Sequence, residues 1–155
     1  MAEHRELSFD TLQQAIAEVE RLAGENVRTT GSYSFAQIVN HLATTLDVAT
    51  GRKELKGIPL PMRIIATLFR PLILSRPIKP GFKLPKDAQS FFWSTEDLAV
   101  DEQVAYFREA AEHFLSLDSY PKHPLFGKMK PAESLKLQCG HCAMHLGFVH
   151  SSPES

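Results

Sequence analysis

Four separate stretches of this chain repeat apolar residues at helical spacing, and none alternates apolar and polar residues as a half-buried strand does. That pattern narrows the fold to helices packed side by side. In residues 8–23 the stripe is Leu12, Ala15, Ile16, Val19 and Leu22, with Ser8 as the expected N-cap and Gly24 closing the last turn. Leu7 and Leu12 then stand where a hydrophobic staple would. Residues 34–50 carry the strongest start signal. Ser34 and Gln37 form a capping box, Tyr33 and Ile38 a staple, and Gly51 ends an arc of Phe35, Ile38, Leu42, Leu46 and Ala49. Residues 100–117 turn Val104, Phe107, Ala111, Phe114 and Leu115 inward, with Asp101 as the expected cap. The fourth stretch opens at Pro131, a favoured first helical residue, and runs to about His150 with Leu135, Cys142, Leu146 and Val149 on its apolar arc. Together they predict an all-α, up-down-up-down four-helix bundle made by a single domain over residues 1–155.

At 155 residues the chain buries a real core without disulfides or metal staples. A net charge of −1 gives no reason to expect nucleic acid, so no nucleic-acid partner is expected. There is no twenty-residue apolar run, and Met-Ala-Glu-His-Arg-Glu at the start lacks a signal peptide's apolar core. The expected location is the cytoplasm, with both cysteines reduced.

Residues 52–98 break the pattern. Between 55 and 86 lie seven basic residues, no acidic one, and Pro59, Pro61, Pro71, Pro77, Pro80 and Pro85. Residues 61–70 predict a short helix that Pro71 ends, and 76–86 an extended loop. So long a Pro-rich basic insertion between the second and third helices reads either as a plain crossover packed by Phe82 and Leu84, or as a lid attracting an anionic substrate. Contact of 61–76 with a membrane surface ranks lower, because prolines interrupt the apolar face.

The chemistry gathers in Gln138-Cys-Gly-His141-Cys-Ala-Met-His145. Four residues apart on a helix, His141 and His145 differ by about 40° and stack one turn above the other, so they can share a cation. A metal site that keeps a position open for chemistry wants a third protein ligand. His41, at the flank of its helix's apolar arc, is the natural one. Ser134 and Gln138 continue the line of His141 and His145, and Thr45 neighbours His41; these and His123 are the candidate pocket-lining residues. The register has a condition. His41 is seven residues past Ser34 and the midpoint of the pair thirteen past Lys130, so the fourth helix must start about 9 Å further out. A set of three histidines suits zinc, nickel or iron rather than magnesium or calcium.

Rival readings carry less. H-E-x-x-H needs glutamate where this chain has Cys142, so that motif's general base is missing. Cys139-Gly-His-Cys142 has redox spacing, but it lies mid-helix with no strand before it, where nothing lowers a thiol pKa. His113 reads as a boundary residue and His123 as the stabiliser of a turn. His4 and His150 belong to fraying termini.

With those residues in view, the chain resembles the DinB-like (YfiT-like) superfamily of four-helix bundles, and within it a bacterial family of unknown function. The likeness rests on Tyr33-Ser-Phe-Ala-Gln-Ile-Val-Asn-His41-Leu and on His123-Pro-Leu-Phe-Gly-Lys-Met-Lys-Pro-Ala-Glu through His141 and His145. It implies a divalent metal on His41, His141 and His145, a homodimer, and an unidentified small-molecule substrate for a metal-dependent hydrolase or small-thiol transferase. The alternative is a non-catalytic helical module for interaction or small-ligand binding. Ser134 departs from the aromatic residue often found after the Pro-x-Glu start, and Met144 replaces a further histidine that some relatives carry.

Overall fold

The computed structural model describes residues 3–81 and 84–152. Within them the chain is mostly helical, with six helices and one two-stranded sheet. In order these are α1 (Leu12–Ala23), β1 (Val27–Thr29), α2 (Phe35–Thr50), α3 (Leu60–Leu74), α4 (Lys86–Phe92), α5 (Val100–Ser116), α6 (Pro131–Leu146) and β2 (Val149–Ser151).

α2 is the centre. Twelve of its sixteen residues are buried, because α5 and α6 pack along it and α4 and β1 close further sides, while α1 packs on α5 and α6. Its ends are where local chemistry puts them. Ser34 and Gln37 complete a reciprocal capping box, and Gly51 leaves in the left-handed conformation at φ 82°, which only glycine adopts without strain. The core joins Leu12, Val19 and Leu22 of α1 with Leu42 and Leu46 of α2, Phe107 and Phe114 of α5, and Cys142 and Leu146 of α6.

Several sequence expectations shift. α1 is capped by Thr11, which forms a capping box with Gln14, so Ser8 is not the cap and the Leu7–Leu12 staple does not exist in that register. α5 starts from Ala99 with no side-chain cap, so Asp101 lies inside the first turn. Pro71 sits within α3 rather than ending it, and α4 forms just after the expected loop of 76–86, in residues for which no element was expected. Phe82, expected to pack the crossover, lies outside the described residues.

The end of the fourth helix also differs. α6 stops at Leu146, and β2 pairs antiparallel with β1, Val27 opposite Ser151 and Thr29 opposite Val149. The N-terminal segment then crosses that corner. Arg5 donates to the carbonyls of Leu146 and Val149 and pairs with Glu18 at 3.0 Å, while His4 donates to the Met144 carbonyl. Gly147 is required there, since a Cβ would lie 2.6 Å from the Arg5 carbonyl oxygen. His4 and the buried His150, which contacts Thr30, are therefore tied into the fold and not frayed.

A candidate metal centre between α2 and α6

α2 and α6 pack against one another, and their facing flanks bring three imidazoles together. His41 Nε2 lies 3.2 Å from His141 Nε2 and 3.1 Å from His145 Nε2, and one ring nitrogen from each of the three falls within 4.8 Å of the others. His41 is buried, and His141 and His145 are half-buried. Two nitrogens each 2.0–2.1 Å from a tetrahedral ion sit about 3.3–3.4 Å apart, so the His41 spacings are close to those of a ligand set.

The tautomers point the same way. His41 Nδ1 lies 3.2 Å from the Phe92 carbonyl, which only accepts, so Nδ1 carries the proton and Nε2 offers a bare lone pair. One lone pair cannot accept well from two N–H groups at once, yet both other rings aim at it. A cation resolves that crowding, because it takes a lone pair from each ring. His141 Nδ1 is buried without a hydrogen-bond partner among the described residues, which costs roughly 1–3 kcal/mol for an amide-like group. The ring holds that orphan while its other nitrogen faces the centre. Electrostatics agree. Burial pushes all three histidines below their ordinary range, His141 to about 4, with mutual repulsion adding to the effect on His41 and His145. All three are neutral at pH 7, the form that binds a metal.

The crossover builds one wall. Trp93 stacks on His41 at 3.9 Å between centroids, Tyr33 stacks on Trp93 at 3.7 Å, and Phe92 meets His41 edge-on. Gln37, beyond its capping role, donates to the Ser94 carbonyl and pins this strap to α2. On the α6 side Ile78 packs against Gly140, where a Cβ would stand 3.2 Å from its Cδ1. Residues of the crossover that cover the imidazoles are thus aromatic rather than basic. Sequence reasoning missed Phe92 and Trp93. An aromatic pair in a segment without helical periodicity was the available signal. The same wall explains why His41, expected at an arc edge, is only 4% exposed.

The other candidates have their own surroundings. Ser134 and Gln138 are buried on α6, and Thr45 donates to the His41 carbonyl. His123 accepts at Nδ1 from the amides of Leu125 and Phe126 and bridges to Gly127, the turn-stabilising role expected of it. It also borders an open cleft of about 670 Å³ with Lys53, Lys56, Arg63 and Lys122; Ser134, Gln138 and Thr45 do not. Both cysteines are buried and free, and burial pushes the Cys139 thiol up to about 11 and Cys142 higher, against redox use.

Fold and site together describe a mostly helical protein with a buried three-histidine cluster fit for a metal ion. Over residues 1–152 the chain belongs to the family described as "Protein of unknown function (DUF1569)". No curated protein and no solved structure matches it.

Proposed function

We propose that this protein holds one divalent transition metal on His41, His141 and His145 and works as a metal-dependent enzyme of the hydrolase or small-thiol transferase class. The observation that carries the reading is the convergence of three neutral imidazole nitrogens on one point. The DinB-like bundle supplies a frame for it, with α1, α2, α5 and α6 as its four helices and α3–α4 as the insertion. Cytoplasmic location and a homodimer complete the reading.

When bound, an ion on three neutral imidazoles supplies Lewis acidity at its open positions. Around it, the Phe92 carbonyl fixes the His41 tautomer and keeps its lone pair inward, as outer partners of metal-binding histidines do. The Trp93 indole holds the His41 ring in plane and excludes water from that side.

Elemental analysis of protein purified without a histidine tag tests the reading. About one equivalent of zinc, nickel or iron per chain is expected, lost in His41→Ala and in His145→Ala while the helical circular-dichroism signal stays. A chelator should likewise abolish turnover of a hydrolysable or thiol-transfer substrate without unfolding the helices. Absence of stoichiometric metal, with only stability changed in His41→Ala, would overturn this and leave the non-catalytic module.

A further inference from the structure

Helix α3 turns outward what a soluble helix turns inward. Leu60, Ile64, Ile65, Leu68, Phe69 and Leu72 are 62, 51, 57, 72, 53 and 48% exposed. At 100° per residue these six fall within one half-turn of the helix, a strip about 18 Å long. Pro61 and Pro71 lie inside the same arc, so they extend the apolar face rather than interrupt it, contrary to the sequence expectation. The opposite side is the one that packs: Ala66, Ile73 and Leu74 meet Leu125, Phe126 and Leu137. A contiguous apolar strip of this kind marks a docking surface.

Charge says what docks. Of the six basic residues between 55 and 86 that the structure describes, Lys56, Arg63, Arg76, Lys79 and Lys86 are exposed, before, along and after the strip, and no acidic residue stands among them. Arg70 is the exception, turned inward to the carbonyls of Phe126 and Lys128 and to Glu133. In a two-fold dimer the same patch meets itself, which would press two sets of like charges together with no carboxylate from the segment between them. An anionic lipid surface satisfies both features at once: acyl chains take the strip, and headgroups take the cations. No described helix is long and apolar enough to cross a membrane, so α3 would lie along the surface.

We propose that α3, with its flanking lysines and arginines, is a docking face for an anionic lipid bilayer. The inference is independent of the metal reading, and binding is expected with and without chelator.

The test is sedimentation of the full chain with vesicles of phosphatidylcholine alone and with about a third phosphatidylserine. Binding to the anionic vesicles should be at least about tenfold tighter, and should weaken as salt shortens the reach of the charges. Ile64→Ser/Leu68→Ser/Phe69→Ser should lose it at least about tenfold, as should Arg63→Gln/Arg76→Gln/Lys79→Gln, both melting like the parent. Should the triple serine variant misfold, Leu68→Ser alone still tests the face. Failure to bind anionic vesicles, or equal binding by the serine variant, overturns the proposal. So does a two-chain mass by light scattering that reverts to one chain in Leu68→Ser, which would give the face to a second copy.

Discussion

α6 and α3 pack against each other and sort their side chains in opposite ways. α6 buries Ser134, Gln138, Cys139 and Cys142 and turns its histidines to a shielded centre. α3 buries only Leu74 and leaves six large hydrophobic side chains to solvent. Elsewhere the ordinary rule holds: Leu12, Val19 and Leu22 of α1 and Phe107 and Phe114 of α5 are fully buried. A buried polar group needs a partner and an exposed apolar strip needs cover. Both inversions therefore call for a partner, which is an ion under the proposed function and a lipid surface under the proposed docking.

The contrast breaks first if α6 is loosely packed. Leu146 is fully buried at its C-terminal end, so Leu146→Ala should cost roughly 3–5 kcal/mol in urea unfolding. A loss below about 1 kcal/mol would mean that α6 has no firm apolar side, and its buried polar side would lose significance.

Acid sharpens the inner half of the comparison. Burial depresses His123 from 6.5 to about 4, and holds His41 and His145 low as well. In the unfolded chain these groups protonate near 6.5, whereas the folded protein resists until lower pH. Their contribution is thus fully present above pH 6.5 and is lost as pH falls towards 4. His123 alone accounts for a loss on the order of 3 kcal/mol. Urea stability of chelated protein at pH 7.5 and 4.5 should show it. His123→Asn keeps an acceptor for the Leu125 and Phe126 amides and should flatten the slope. An unchanged slope would show that the ring is not shielded as described.

How much of this was legible in the sequence follows from the range of each interaction. The limits of α2 were, because Ser34, Gln37 and Gly51 act within a turn of where they stand. The three histidines were too, since helical spacing fixes which residues share a flank. Thr11 with Gln14 repeats the Ser34–Gln37 signal, and preferring Ser8 overlooked a legible capping box. The rest depends on distant partners. Val149 to Ser151 leave the helical pattern to pair with residues 27–29, and Trp93 finds His41 across 52 positions. Pro71 stays helical near the C-terminal end of α3, where the cost is its own missing N–H and ring clash within the helix, and that tolerance is not written in the local spacing. The α3 arc itself was visible as Ile64, Ile65, Leu68 and Phe69. Periodicity shows that an arc exists, not which way it faces.

The smallest effect decides the outer half. Leu68 is 72% exposed and contributes nothing to either buried cluster, so Leu68→Ser should change urea stability by no more than about 0.5 kcal/mol. Leu146→Ala removes apolar atoms from a filled core; Leu68→Ser removes them from water, where burial had gained nothing. Serine also lowers helix propensity by only a few tenths of a kcal/mol, which keeps the expectation small. A loss of 2 kcal/mol or more would mean that Leu68 is covered in solution by protein. A near-zero change, joined to weaker vesicle binding, would separate the face from the fold and leave lipid as its occupant.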